Sequence, residues 1–389
     1  MMPDASSPRG STADRAPPPQ NYALQDLAFA DLEGFGEDDH FEAFQVFARS
    51  SAAIVEDRPP LREGIAPSPA LKAICRRALT EDVGDRARAR RFFEAHFRPC
   101  RVLTQGSNGH KKGRDNTQSG AFLTGYYEPI VAGSLTPNAD FTAPLLSRPD
   151  DLISPASGAR AGAGDQSLAP YPDRAAIEAG AIAGHTAPLV WLRDPIEVFL
   201  IQVQGSARVR LPDGEILRLV YAGRNGQPYA SIGRILIESG EIAEADMSLA
   251  ALKQWVRDHG QQPFEAGAAL MARNKSYVFF ALDSELDPSA GPIGGAGLSL
   301  TPLRSIAIDR TIWPYGLPVW IAANIPWREP FAAPFRRLMI AQDTGSAITG
   351  PARADIFFGS GDDAGARAGD IRHAGDFVIF LPVEEGSNR

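Results

Sequence analysis

Two aspartates, Asp343 and Asp355, stand 12 positions apart in the stretch AQDTGSAITGPARADIFFG (341–359). Each sits at the edge of an apolar segment, with glycine-containing turns between them. Asp355 is followed by Ile356, Phe357 and Phe358, neighbours that would take water away from its carboxyl group. Desolvation disfavours the charged form and raises a carboxyl pKa, which a general acid at neutral pH requires. The plainer reading is that both aspartates cap turns by accepting from nearby backbone N–H groups. Asp343-Thr344-Gly345 also spells the aspartic-protease tripeptide. That chemistry needs two carboxyls sharing a proton, hence a second copy or a symmetric dimer, and the chain holds no second Asp-Thr/Ser-Gly.

Two further segments carry suitable side chains. Phe122-Leu-Thr-Gly-Tyr-Tyr-Glu-Pro129 sets two tyrosines beside Thr124 and Glu128, a combination able to stack on sugar rings and bond their hydroxyls. A buried strand with a tyrosine pair accounts for it equally. Val203-Gln204-Gly205-Ser206 and Tyr221-Ala-Gly-Arg-Asn-Gly226 gather amides, small residues and an aromatic, as carbohydrate clefts and ordinary turns both do. Six scattered histidines make neither HExxH nor HxH, so no metal site is expected. Cys75 and Cys100 form no CxxC; they could pair with each other or remain as buried thiols.

The elements that must position these groups change character along the chain. Residues 1–20 read as a polar leader too poor in apolar side chains to offset the entropy of ordering. From about His40 to Phe97 the periodicity is helical, with Phe41, Phe44 and Phe47, then Phe92, Phe93 and Phe97, and Pro69–Thr80 between them. Short strands are expected at 121–127, 198–204, 207–211 and 215–222, the last two flanking a type I′ turn at Asp213-Gly214. Helical patterns return at 231–239 and 248–273. Strands then follow at 277–282, 305–309, 318–323, 338–342, 353–358 and 376–381, which a small barrel would close. The composition, 44% hydrophobic and 22% charged with 37 Gly and 32 Pro, is that of a turn-rich globular protein. A net charge of −8 argues against a nucleic-acid partner. No apolar run reaches the roughly 18 residues of a membrane helix.

Taken together, FLTGYYEP (122–129), YAGRNGQPYASIGRILIESGEI (221–242), NKSYVFF (274–280), DRTIWPYGLPVWI (309–321) and AQDTGSAITGPARADIFFG (341–359) resemble the membrane-bound lytic murein transglycosylase A family, in the family's order. The resemblance implies a mainly β, α+β fold: a double-psi β-barrel domain from residues 20–125 and 275–389, with a β domain (126–274) inserted and a glycan groove between them. It assigns the catalytic acid to Asp355 and a supporting role to Asp343. It places Thr124, Gly125, Tyr126, Gln204, Gly205, Ser206 and Gly345 against the substrate. Thr349 stands where many relatives carry Lys, and Ser346 where many carry Gly.

The implied activity is non-hydrolytic cleavage of the β-1,4 bond between N-acetylmuramic acid and N-acetylglucosamine, leaving 1,6-anhydromuramoyl ends and needing no cofactor. The implied partners are peptidoglycan strands and cell-wall synthesis or hydrolysis complexes, with the protein a monomer. The implied place is the periplasm, in association with the outer membrane, although no signal peptide or lipid-anchor Cys is visible here. A hydrolytic glycosidase on the same fold and a non-catalytic peptidoglycan-binding module are the alternatives.

Overall fold

The structure is a computed structural model that describes residues 22–104, 120–153, 171–284, 287 and 290–384. The leader expected over 1–20 lies outside them. Strand β1 (Tyr22–Asp26) is followed by helices α1 (His40–Val55), α2 (Pro69–Thr80) and α3 (Arg86–His96), then β2 (Phe97–Thr104) and β3 (Ala121–Glu128). The middle of the chain holds β4 (Ile130–Ser134), β5 (Ala143–Leu146), α4 (Arg174–Glu178), β6 (Pro188–Leu192), α5 (Pro195–Gln204), β7 (Ala207–Arg210) and β8 (Ile216–Arg224). After them come α6 (Ile232–Glu238), α7 (Leu249–Asp258), α8 (Ala266–Ala272) and β9 (Val278–Leu282). The last part comprises β10 (Ser305–Ala307), β11 (Pro318–Ile325), β12 (Ala333–Asp343), β13 (Arg353–Ser360), α9 (Asp362–Gly369) and β14 (Arg372–Pro382).

The helices begin where side chains cap them. Asp39, Ser68 and Asp85 each accept from first-turn N–H groups of α1, α2 and α3, donors that have no partner one turn back. The phenylalanine spacing read from the sequence is what α1 and α3 bury: Phe44 and Phe47 meet Phe92 and Phe93 edge-on, with ring centres 5.1–6.3 Å apart. Phe97 joins that cluster from β2, not from the helix. Pro99 cannot continue a helix and turns the residue before it to extended backbone.

Eight strands form the larger sheet in the order β1-β2-β14-β11-β12-β10-β13-β3, and β3 pairs back onto β14. That pairing closes β14, β11, β12, β10, β13 and β3 into a six-stranded barrel, with β2 and β1 extending from β14. Closure leaves those six strands without a free edge. The second sheet runs β5-β6-β4-β7-β8-β9. Its last strand, β9, ends at Leu282, later than the boundary near 274 expected from the sequence.

Three expectations are corrected. Val198–Gln204 is the body of helix α5, not a strand: Asp194 caps it, Pro195 occupies its first turn and Gly205 ends it with a left-handed φ of 84°. Five consecutive buried residues, Val198–Gln202, carry no periodicity to separate helix from strand. The hairpin at Asp213-Gly214 exists, but only Gly214 has positive φ. Gly214 N–H bonds to the Leu211 carbonyl, so Pro212 and Asp213 are the turn's central residues and Gly214 the left-handed residue after it, in a three-residue loop. The helical stretch expected over 248–273 is divided by Gly260, at φ 77°, and by Pro263.

Two buried ionic clusters tie the parts together. Arg304, fully buried, grips Asp38 with both terminal nitrogens (2.7 and 2.9 Å) and bonds Glu42 through Nε at 2.8 Å. Asp38 also accepts from Leu338 N–H at 2.8 Å, which fixes the start of α1 against β12. Glu128, buried at the end of β3, accepts from Ser360 (2.6 Å) in the barrel and from Arg208 (2.7 Å) in the second sheet, with Arg218 at 3.5 Å.

Replacing Arg304 with Ala leaves Asp38 buried without its counter-charge. The expected cost is about 3–5 kcal/mol of folding stability, read as a lower urea midpoint with an unchanged slope.

Candidate active site

The site is a row of residues across the barrel wall. Parallel pairing of β13 with β3 sets Asp355 opposite Thr124. Antiparallel pairing of β10 with β13 sets Ala307 opposite Asp355, and past a bulge Ala307 also lies opposite Asp343 on β12. The two aspartates are therefore two strand spacings apart, roughly 10 Å between Cα atoms, with one small buried residue between them.

Asp343 is tightly held. Its Oδ1 accepts from the backbone N–H of Gly295 (2.7 Å) and Thr344 (2.8 Å), and its Oδ2 accepts from the Tyr126 hydroxyl (2.8 Å). Gly295 belongs to the loop GPIGGAG (291–297), and a Cβ there would stand 2.7 Å from the Tyr315 hydroxyl and 3.0 Å from Thr344. The backbone can approach Asp343 so closely because that position has no side chain.

Asp355 is held differently. The Thr124 hydroxyl donates to its Oδ1, and Arg353 Nη2 donates to Thr124 Oγ1 at 2.7 Å. Burial pushes the Asp355 carboxyl above its ordinary range, against the pull of the Arg353 charge and the Thr124 hydrogen bond; the charge of Asp343 adds to the rise. Tyr126 is raised well above a normal phenol, by burial first and then by Asp343. Its ring lies 5.3 Å from that of Phe357. The arrangement pairs one carboxyl whose pKa burial raises with one whose oxygens are both occupied by donors.

Asp343, Asp355, Tyr126, Gln204, Gly205, Ser206 and Gly345 all line one cavity of about 110 Å³. Thr124 adjoins it through Asp355. Gln204 Oε1 accepts from Tyr127 N–H at 3.1 Å, tying the end of α5 to β3. Gly125 is placed elsewhere. It points away from the row, where an added Cβ would lie 2.8 Å from Ala368 Cα and 2.9 Å from its carbonyl oxygen, so it lets α9 pack on β3. Glu128 is likewise engaged in the ionic cluster between the sheets.

Two residues of the site were missed in the sequence. Arg62, from the segment between α1 and α2, enters the cavity, donates to the Thr344 carbonyl at 2.8 Å and stacks 4.1 Å over the Tyr221 ring. Nothing in its local pattern marks it. Arg353 carried a usable signal, because residues two apart on a strand share a face. Among the described residues, Asp150, Asp151 and His185 bring ligand-type atoms within 4.8 Å of one another on the exposed surface, outside the cavity lining.

Residues 122–281 match the family model described as MltA specific insert domain, and residues 304–381 match the 3D domain. The chain is 32% identical over 283 residues to membrane-bound lytic murein transglycosylase A of Vibrio cholerae, covering 71% of this chain and 70% of that protein. It is 34% identical to the Escherichia coli K12 protein of the same name, with the same coverage. Among solved structures, a membrane-bound lytic murein transglycosylase from Agrobacterium tumefaciens superposes with a TM-score of 0.78 at 33% identity, covering 92% of this chain and 98% of that one. E. coli MltA with bound chitohexaose gives a TM-score of 0.63 at 25% identity, covering 97% of this chain and all of the other.

The raised carboxyl pKa has a consequence for stability. A carboxyl whose folded pKa exceeds its ordinary value of 3.8 keeps its proton in the folded state after the unfolded state has lost it, so stability falls as pH rises through that window. Asp355→Asn is expected to melt at a higher temperature than the parent at pH 7–8. The gain should vanish as the pH falls below about 4, where the carboxyl is protonated in both states; a melting series across pH measures both.

Proposed function

The chain belongs to the membrane-bound lytic murein transglycosylase A family, and we propose that it cleaves the β-1,4 bond between N-acetylmuramic acid and N-acetylglucosamine with Asp355 as its one catalytic carboxyl. It is a peptidoglycan lytic transglycosylase. Protonated Asp355 gives its proton to the glycosidic oxygen as the C1–O bond breaks and an oxocarbenium-like centre develops. The resulting carboxylate then takes the proton from the sugar's own C6 hydroxyl as that oxygen bonds to C1. The product carries a 1,6-anhydromuramoyl end, the acid is restored, and no water is consumed.

One observation carries this reading: the two carboxyls of the site have different surroundings, one filled with donors and the other desolvated. Hydrolytic glycosidases need a second carboxylate free to act on water or on the sugar. Asp343 has three of its roughly four acceptor positions filled by Gly295, Thr344 and Tyr126, which suits an orienting group. Asp355, desolvated and bonded by the Thr124 hydroxyl, suits an acid. An internal hydroxyl already held near C1 replaces water with little further loss of entropy.

In this reading the barrel strands follow the double-psi winding that the family resemblance implies. Strands β4–β9 form the insert, and the cavity is part of a groove that takes the glycan. Tyr126, Gln204, Gly205, Ser206 and Gly345 contact the sugar, and Thr124 holds the acid. The chitohexaose in the E. coli relative supports a β-linked glycan as ligand. The names of the relatives, membrane-bound murein transglycosylases, support association with the cell envelope, and the reading places the protein in the periplasm at the outer membrane. No helix among the described residues is long and apolar enough to cross a membrane. The protein acts as a monomer on peptidoglycan strands, alone or within cell-wall complexes.

Digestion of purified sacculi followed by mass spectrometry of the released muropeptides tests the reaction. Anhydro ends are expected, and ordinary reducing ends would overturn the proposal. Asp355→Asn should lower cleavage by roughly 10²–10⁴-fold or more while glycan binding persists. Asp343→Asn should cost less, roughly 10–100-fold, as expected for loss of a charge-assisted hydrogen bond to an orienting group.

A further inference from the structure

Thr124 stands between two groups of opposite character. Arg353 Nη2 donates to its Oγ1 at 2.7 Å, and its hydroxyl donates to Asp355 Oδ1. A guanidinium has no acceptor atom and stays charged at any pH the protein experiences. Oγ1 can therefore only accept from Arg353, and the single hydroxyl proton is left for the carboxyl. With Oδ1 engaged in this way, the oxygen left to carry a transferable proton is Oδ2.

The backbone builds this chain. Arg353 and Asp355 share one face of β13, and the parallel register brings Thr124 of β3 beside them. The remaining guanidinium hydrogen bonds go to the carbonyls of Phe122 (3.2 Å) and Ala354, and the group lies 5.0 Å over the Phe122 ring. A charge held this way by neutral partners keeps its influence on the carboxyl two positions away.

We infer that Arg353 is a positioning residue of the transglycosylase reaction: through Thr124 it commits one oxygen of Asp355, leaves the other to carry the proton, and sets the pH range over which the acid stays loaded. The inference rests on the reading of Asp355 as the acid. Other groups face the same carboxyl and are common to every variant below. Asp343 lies across the row on β12, and Tyr126 on β3 is engaged with Asp343. Tyr229, ahead of α6, lies near Asp355 with Arg372 of β14 beside it, and Arg62 lies beyond Tyr126.

The test is the pH dependence of kcat/KM on isolated glycan strands for Arg353→Gln, Arg353→Lys, Thr124→Val and Thr124→Ser. The alkaline limb, where the acid loses its proton, should move up by about one pH unit in Arg353→Gln and Thr124→Val, because the carboxylate form has lost its donor or the charge behind it. Thr124→Ser should restore the parental limb, and Arg353→Lys should lie between. Adding Arg353→Gln to Thr124→Val should shift the limb further, but by less than the sum of the two single shifts, because the charge acts both directly and through the hydroxyl. A uniform fall in rate with an unmoved limb would reduce both residues to a structural role and overturn the inference. A full further shift in the double variant would show direct action of the charge alone and overturn the relay. Thermal unfolding of each variant identifies misfolding, and Thr124→Ser with Arg353→Lys supplies a conservative pair if the larger changes fail to fold. If Asp355→Asn retains cleavage, the parent reading fails; if it is inactive and the limbs do not move, only the relay fails.

Discussion

Strand β10 contributes only Ser305–Ala307, yet it is hydrogen-bonded on both sides, in parallel to β12 and antiparallel to β13. The site depends on that register, because it determines which residues of three strands stand side by side. A slip of one residue would turn every side chain of a strand to its other face, separating Asp355 from Thr124 and Asp343 from Tyr126. The register is anchored from outside the site. Arg304 immediately precedes β10, and its backbone carbonyl accepts from Ile340 N–H at 2.7 Å. Its side chain is locked into Asp38 and Glu42 at the start of α1. The N-terminal helices, which carry no cavity-lining acid, thus hold the strand on which the chemistry is aligned.

The same two-strand spacing lets one fold treat two like charges differently. Strongly interacting carboxylates a few ångströms apart would have to share a proton. At roughly 10 Å between backbones, each instead takes the character of its own surroundings. Loop backbone and a phenol surround Asp343. Asp355 has a threonine hydroxyl and the desolvating wall of the barrel. Separating two titratable groups by environment is how a site gives two like carboxyls different tasks.

Much of this was legible before any coordinates. The strands bearing Thr124 and Tyr126, Asp343 and Asp355 were marked by apolar runs and turn residues, and α2 was read at its full extent, Pro69–Thr80, from its helical periodicity. The family motifs indicated both aspartates. What was not legible depends on contacts distant in sequence. Helix α5 was read as a strand because its unbroken buried run, Val198–Gln202, shows no periodicity. Gly125 was read as a substrate contact because it sits in the motif, whereas its lack of a side chain accommodates Ala368, more than 200 residues later. Arg62 is ordinary in sequence and acquires its place from Tyr221 and Thr344. Arg353 was visible in strand alternation, but its importance requires knowing that β3 runs parallel alongside.

The pairing of β3 with β13 and β14 also governs the order in which the molecule can be made. Strand β3 ends at Glu128, and its two neighbours begin at Arg353 and Arg372. During synthesis, β3 must wait for more than 200 further residues before either neighbour exists. The second sheet, drawn entirely from 130–282, has all its strands long before that. Pairings so distant in sequence form slowly and late. Asp355 and the Thr124 hydroxyl beside it thus come together only after the whole second sheet has been made. A truncated chain would lack the constellation altogether.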